Sequence, residues 1–106
     1  MVNYTRVATH ASSSTSPSIY TLKDSAGVYH NFTEAKYVYI ELYKTGSYGT
    51  FVDVKLIPLY FFRFTENDRI YMSYNDNING GVSYRSDTTV SMYAAPNYSI
   101  SINLVY

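Results

Sequence analysis

The chain has 106 residues, of which 46% are hydrophobic and only 15% are charged, and its eight basic side chains balance its eight acidic ones. The absence of cysteine excludes disulfide scaffolds, thiolate metal sites and cysteine catalysis, and a neutral chain without a basic block argues against nucleic acid as a partner. No apolar run approaches the ~18 residues of a membrane span, so we expect a single domain, residues 1–106, without membrane insertion.

The N-terminal third is the least regular part of the sequence. We expect a strand over residues 4–9 and a flexible Ser/Thr-rich segment at residues 11–18. Residues 19–23 and 28–32 flank a turn at residues 24–27, and this arrangement predicts a hairpin. No stretch of the chain has the 3.6-residue apolar period of a helix.

Strict alternation at residues 36–44 predicts a half-buried strand. One face of this strand is aliphatic: Val38, Ile40 and Leu42. The other face is mostly aromatic: Tyr37, Tyr39, Glu41 and Tyr43. Residues 45–49 contain two glycines and predict a turn, so we expect a hairpin with the run that follows.

That second run, residues 50–57, also alternates. We expect its aliphatic residues to face inward: Val52, Val54 and Leu56. The charged residues of the hairpin are expected to face solvent and to pair across the strands: Glu41, Lys44, Asp53 and Lys55. Pro58 has no N–H to donate, so we expect the strand to end there.

Residues 59–64 (Leu-Tyr-Phe-Phe-Arg-Phe) are almost continuously apolar, which predicts a strand buried on both faces. Residues 69–74 predict another strand, and residues 75–81 give the strongest loop signal in the chain, Asn-Asp-Asn-Ile-Asn-Gly-Gly. Two short strands are expected after this loop, at residues 82–85 and 88–94.

The last strand, residues 98–106, has its apolar side chains on one face: Tyr98, Ile100, Ile102, Leu104 and Tyr106. The whole sequence therefore predicts eight or nine short strands at a spacing of about ten residues. The predicted fold class is all-β, an antiparallel β-sandwich of the jelly-roll or Ig-like kind with about eight short strands, and a barrel is the alternative.

Tyrosine, with 14 residues, exceeds its usual share of a sequence. Its large rigid ring and polar tip suit recognition surfaces. The candidate binding residues of this type are Tyr37, Tyr39, Tyr43 and, at the tip of a turn, Tyr48. The alternative is that these rings fill the second layer of the core.

The polar loop supplies the second group of candidate binding residues: Asn75, Asn77 and Asn79. Counted from Asn75, these positions and Gly80 match the spacing of an EF-hand-type calcium loop. The ligands would be neutral amides, however, and position twelve is Ser86 instead of Glu. The sequence therefore favours a polar hairpin loop, with calcium as the alternative.

The other polar residues form no recognisable catalytic motif. His10 and His30 are the only imidazoles, too few to complete a catalytic zinc site. No serine sits in a Gly-X-Ser-X-Gly elbow, and no closely spaced carboxylate pair stands out. We therefore expect a protein with no enzymatic activity and no cofactor.

Composition and fold class together favour a virion protein. Low charge, absent cysteine and abundant Tyr, Ser, Thr and Asn are typical of an extracellular surface, whereas the first residues lack the pattern of a secretory signal. A virion protein would have both the extracellular type of composition and no secretory signal, because it is made in the host cytoplasm and works outside the cell. We expect a phage capsid decoration, tail or fibre component that forms homo-oligomers or binds other virion proteins.

Two other functions stay open. The first is a lectin-like or receptor-binding module, in which loop tyrosines and asparagines hold a surface glycan, and its location would be extracellular. The second is a small inhibitor that presents a tyrosine-rich surface to a host enzyme.

Overall fold

The computed structural model describes residues 4–12, 16–45 and 51–106, and these residues form two antiparallel sheets packed face to face. Their eight strands are β1 (Tyr4–Ser12), β2 (Ser18–Thr21), β3 (Tyr37–Lys44), β4 (Phe51–Pro58), β5 (Ile70–Tyr74), β6 (Asn77–Ser86), β7 (Thr89–Ala94) and β8 (Tyr98–Val105). Sheet A has the order β1-β8-β3-β4, and sheet B has the order β2-β7-β6-β5. The predicted β-sandwich is confirmed, and the barrel alternative is wrong because the two sheets stay separate.

Alternating aliphatic residues of the central strands fill the space between the sheets. β3 and β8 pair so that Ile40 lies opposite Ile102, and the inward side chains of both strands are fully buried. In sheet A these are Val38, Ile40, Leu42, Ile100, Ile102 and Leu104. Sheet B contributes Met72, Val82, Val90 and Met92. The predicted inward faces of β3 and β8 are thus confirmed, and each buried aliphatic side chain stabilises the fold by about 1.5–3 kcal/mol.

The inward direction predicted for Val54 and Leu56 of β4 is wrong, whereas Val52 packs against the core as expected. Leu56 lies opposite Tyr39 in register, and Val54 lies opposite Glu41. Residues directly opposite each other share a face, so both aliphatic side chains point away from the core, and 57% and 45% of their surfaces are exposed. Alternation identifies two faces of a strand, but only the register with β3 decides which of them is inward.

Asp53 and Lys55 consequently lie on the inward face of β4, at the open side of the sandwich beside β5. The Asp53 carboxylate accepts a hydrogen bond from the backbone N–H of Ser73 in β5 (3.0 Å) and lies 3.9 Å from Lys55 Nζ. Inward-pointing charges of this kind prevent an edge strand from pairing with another chain. Asp53 therefore links the two edge strands on this side of the sandwich.

Residues 59–67 form helical turns where a buried strand was expected. α1 (Leu59–Phe62) follows Pro58 directly, and a 3₁₀ helix (Arg63–Asn67) continues it. The Thr65 hydroxyl donates to the carbonyl of Phe62 (2.7 Å) and stabilises the bend. Phe62 is fully buried, whereas three other aromatic residues of the segment are exposed: Tyr60, Phe61 and Phe64. No helix in the described part of the chain is long and apolar enough to span a membrane.

Phe62 belongs to an internal aromatic cluster that closes one end of the sandwich. Its ring centroid lies 5.2 Å from that of Phe32 and 6.1 Å from that of Tyr84. The Tyr84 hydroxyl donates to the Asp87 carboxylate (2.8 Å), which also accepts from the Arg63 guanidinium (3.2 Å). The cluster therefore attaches the helical segment to the β6–β7 turn.

The loop predicted at residues 75–81 is a two-residue turn. β5 ends at Tyr74 and β6 begins at Asn77, so only Asn75 and Asp76 lie between the strands. Their positive φ angles, 52° and 64°, are typical of a type I′ hairpin, which Asn and Asp tolerate. The longer loop was wrongly predicted because residues from 77 onward pair with β5.

The structure of the N-terminal segments agrees only in part with what the sequence predicts. Of the segment expected to be flexible, residues 11 and 12 extend β1, residue 18 begins β2, and residues 13–15 lie outside the described residues. The turn at residues 24–27 is present: Asp24 Oδ1 accepts from the N–H groups of Ala26 (2.9 Å) and Val28 (3.0 Å). The hairpin predicted around it is wrong, because residues 28–32 form no strand beyond a single bridge from Tyr29 to Lys23, and β2 pairs with β7. His30 Nε2 donates to the other carboxylate oxygen of Asp24 (2.7 Å).

Replacement of neighbouring aromatic residues distinguishes the helical segment from a buried strand. We expect Phe62→Ala to lower the free energy of unfolding by about 3–5 kcal/mol, because it leaves a cavity in the internal aromatic cluster. Phe61→Ala should change it by less than about 0.5 kcal/mol, because this side chain is exposed. Urea unfolding measures both values, and similar losses for the two variants would contradict the helical placement.

The Asp24 turn predicts a dependence of stability on pH. The hydrogen bond from His30, together with those from the N–H groups of Val28 and Ala26, holds the pKa of the Asp24 carboxyl below its ordinary value. A lowered folded-state pKa stabilises the fold above the unfolded pKa, near 4, and this contribution is lost as pH falls through the folded value. The urea midpoints of wild type and Asp24→Asn should therefore differ most near neutral pH and converge near pH ~2. A constant difference would contradict this assignment.

Candidate functional site

The outer face of sheet A carries the tyrosines that the sequence singles out. Tyr37, Tyr39 and Tyr43 alternate with the buried aliphatic residues of β3, so all three point away from the core. Tyr37 is 40% exposed, and the other two are half-buried. The expectation that these three residues share one face of a strand is therefore confirmed.

Exposed aliphatic residues extend this surface across β4. Leu56 lies opposite Tyr39, and Pro58 lies opposite Tyr37. We call the resulting surface the tyrosine face; it consists of Tyr37, Tyr39, Tyr43, Val54 and Leu56. The sequence places these aliphatic residues in the core, so only the register of β4 shows that they belong to the surface.

A buried polar cluster, Glu41, Ser101 and Asn103, lies between β3 and β8 on the same side of sheet A. Glu41 is only 5% exposed, and its Oε1 accepts hydrogen bonds from Asn103 Nδ2 (2.8 Å) and from the Ser101 hydroxyl (3.3 Å). Arg6 on β1 approaches the same oxygen to 3.7 Å. The solvated pairing expected for Glu41 is wrong, because the register with β8 brings it against two polar side chains.

Asn103 has one buried atom without a partner. Its amide nitrogen donates to Glu41 Oε1 and to the carbonyl of Tyr39 (3.3 Å), both of which can only accept, so the orientation of the amide is fixed. Its Oδ1 is buried and has no donor among the described residues. The cluster therefore fixes the pairing of β3 with β8 and keeps one acceptor unsatisfied beneath the tyrosine face.

A second apolar surface follows β4. We call it the exposed aromatic patch; it consists of Tyr60, Phe61 and Phe64, which are 70%, 60% and 63% exposed. The Tyr60 ring contacts the other two edge to face, at centroid distances of 5.5 and 5.3 Å. The N–H of Leu59 donates to the carbonyl of Lys36 (3.0 Å), beside Tyr37. The patch therefore begins at the Tyr37 end of the tyrosine face.

The remaining candidates lie apart from the tyrosines. Tyr48 is outside the described residues. Asn75, Asn77 and Asn79 belong to the β5–β6 hairpin of sheet B, where the Asn77 amide donates to the carbonyl of residue 75 (3.2 Å) and the Asn79 amide to that of residue 77 (3.1 Å). The extended loop that calcium would require is a β-strand here. Within residues 4–12, 16–45 and 51–106, no group of three His, Asp or Glu side chains could hold a metal ion.

Comparisons with protein-family models, with curated proteins and with solved structures find no match to this chain. The function is therefore inferred from the surfaces described above. Of the candidates within the described residues, the three tyrosines are brought together on sheet A, and the three asparagines form a separate group on sheet B.

The two partners of the Glu41–Arg6 pair should differ in their effect on stability. We expect Glu41→Ala to lower the free energy of unfolding by about 2–4 kcal/mol, because it leaves the buried Asn103 amide without its charged acceptor. Arg6→Ala should cost less than about 1 kcal/mol, since its side chain is 52% exposed. Urea denaturation tests the difference, and equal losses would show that the cluster does not depend on Glu41.

Proposed function

We propose that this chain is a non-enzymatic structural protein of a virion and that it assembles with other copies of itself through the tyrosine face of sheet A. The exposed aromatic patch extends the same contact beyond the end of β4. Low charge and the absence of cysteine suit a protein whose surface is covered in an assembly.

The exposure of large apolar side chains on the tyrosine face and in the exposed aromatic patch carries this proposal. The three rings of the exposed aromatic patch alone leave roughly 300–500 Å² accessible, given their size and exposure. This area is comparable to the largest apolar patch on a typical monomer, about 300–600 Å². With the exposed parts of Tyr37, Val54 and Leu56, the surface approaches the ~800 Å² that each partner buries in a standard interface.

The closed edges of the sandwich support contact through a face. β1 has a bulge between Arg6 and Ala8, and the carbonyl of Val7 accepts a hydrogen bond from the N–H of Lys23 (2.8 Å). β2 has only four residues, and Asp53 links β4 to β5. Bulges, covering segments, short strands and inward charges all discourage the addition of another strand. An assembly of this protein therefore uses the outer face of a sheet.

Oligomeric state in solution tests the proposal. Light scattering during size-exclusion chromatography should give a multiple of the monomer mass at about 100 µM. We expect Leu56→Lys to raise the dissociation constant at least ~10-fold, because it places a charge within the apolar contact. A wild-type protein that stays monomeric at every concentration would contradict the proposal.

Ile78→Lys is the matched control for this experiment. Ile78 is 58% exposed, almost the same as Leu56, but it lies on β6 of the other sheet. It should therefore leave the oligomer unchanged, and dissociation of both variants to the same degree would argue against an interface on sheet A.

A further inference from the structure

The imidazole of His30 lies between two carboxylates and a phenol. Its Nε2 is 2.7 Å from Asp24 Oδ2 in the turn at residues 24–27. Its Nδ1 is 3.4 Å from the hydroxyl of Tyr106, the residue that follows β8, and 3.7 Å from Glu34 Oε2. Only 14% of the His30 side chain is exposed. Three separate segments of the chain therefore meet at one titratable ring.

Hydrogen bonds that do not involve the ring fix the backbone around it. The N–H of His30 donates to the carbonyl of Leu22 (2.9 Å). The Glu34 carboxylate belongs to a 3₁₀ turn, Phe32–Glu34, whose first side chain is fully buried. The N–H of Lys36 donates to the carbonyl of Val105 at the end of β8 (2.9 Å). The ring can therefore change its side-chain partners while the surrounding backbone stays in place.

The chemistry of each partner decides which ring nitrogen carries the proton. Hydrogen bonds from His30 and from two backbone N–H groups hold the pKa of the Asp24 carboxyl below its ordinary value, so this carboxylate is ionised and can only accept. Nε2 therefore carries the proton of the neutral ring, and Nδ1 has a lone pair. That lone pair accepts from the Tyr106 hydroxyl, whereas the Glu34 carboxylate has no proton to give it.

Protonation of the ring reverses the role of Nδ1. A histidine side chain ordinarily changes its charge between about pH 5 and 8, and Nδ1 then becomes a donor. Of the two groups in reach, the Glu34 carboxylate is the stronger acceptor, because a hydrogen bond between charged groups is roughly twice as strong as a neutral one. The Tyr106 hydroxyl then has no lone pair on the ring to which it can donate, whereas the bond from Nε2 to Asp24 remains.

Two cations lie beside Asp24 but face other groups. Arg6 and Lys23 line a small cavity together with Asp24. The Lys23 ammonium lies 5.3 Å from the ring centroid of Tyr29, and the Arg6 guanidinium lies 3.7 Å from Glu41 Oε1. Among the described residues, no further carboxylate lies within 4.0 Å of either nitrogen of the His30 ring. The exchange at Nδ1 is therefore limited to the phenol and the carboxylate named above.

We propose that His30 is a pH-dependent switch that binds the end of β8 when its ring is neutral and the 3₁₀ turn at residues 32–34 when its ring is charged. Protonation releases the Tyr106 side chain and draws the carboxylate of the turn toward the ring. The residue before Tyr106 pairs with Tyr37, so the released side chain adjoins one end of the tyrosine face. The switch operates within one copy of the chain and does not depend on assembly.

The position of the proton on the neutral ring is the first test. Long-range ¹H–¹⁵N NMR spectra of the whole chain, recorded from pH ~8 to pH ~5, show which ring nitrogens are protonated. We expect a proton on Nε2 alone at the upper end and on both nitrogens once the ring is charged, with His30→Gln identifying the signals. A neutral ring protonated at Nδ1, or a ring that stays neutral down to pH ~5, would overturn the proposal.

Two variants separate the two states of the switch. Tyr106→Phe removes a hydroxyl that only the neutral ring uses, so it should raise the equilibrium constant of unfolding ~2–5-fold at pH ~8 and leave it unchanged at pH ~5.5. Glu34→Gln removes a charge that only the charged ring uses, so the same ~2–5-fold loss should occur at pH ~5.5 and not at pH ~8. Urea unfolding measures these effects, and a loss that is equal at the two pH values for either variant contradicts the switch.

Tyr60→Phe and Glu66→Gln are the matched controls. Tyr60 is 70% exposed, and Glu66 is exposed and has no ion pair among the described residues. Neither change should have an effect that differs between the two pH values. In a His30→Gln background the effects of Tyr106→Phe and Glu34→Gln should lose their pH dependence, and its persistence there would overturn the proposal. If that background does not fold, the opposite pH dependences of the two single variants decide the question.

Discussion

The pairing of β3 with β8 at the centre of sheet A is the constraint on which the rest of the structure depends. These strands lie about 60 residues apart in sequence, and a single register places Ile40 opposite Ile102 in the core and Glu41 opposite Ser101 outside it. A slip of one residue would bring the tyrosines and Glu41 into the core. The hydrogen bond from Asn103 to Glu41 therefore supports the same register that the aliphatic residues select.

The two sheets present outer faces of different chemistry. Sheet A exposes aromatic and aliphatic side chains around a buried polar cluster, whereas sheet B combines arginines, carboxylates and tyrosine around an open surface depression. Tyrosine accordingly has several roles: Tyr84 packs inside, Tyr37 lies on the surface of sheet A, and Tyr93 supports a guanidinium on sheet B. Closed edges leave these outer faces as the surfaces available for recognition.

The helical segment after Pro58 explains why a continuous apolar run was misinterpreted. Leu59 and Phe62 are three residues apart and turn toward the core, while the rings of Tyr60, Phe61 and Phe64 remain exposed. Helical spacing is present, but one turn is too short to produce a recognisable period. The proline that ends β4 is the one local signal of a change, because it cannot donate to a neighbouring strand.

Local sequence determined most of the strands, the two-sheet fold class and the faces of β3 and β8, because alternation over five or more residues needs no knowledge of distant partners. It also identified the three tyrosines of β3 as one surface. Only the tertiary structure decided which side chains of β4 face the core. It also decided the contact of Glu41 with Asn103 and the packing of Arg69 against Tyr93 beside Gly81. These features depend on register and on packing between segments far apart in sequence, which no local pattern records.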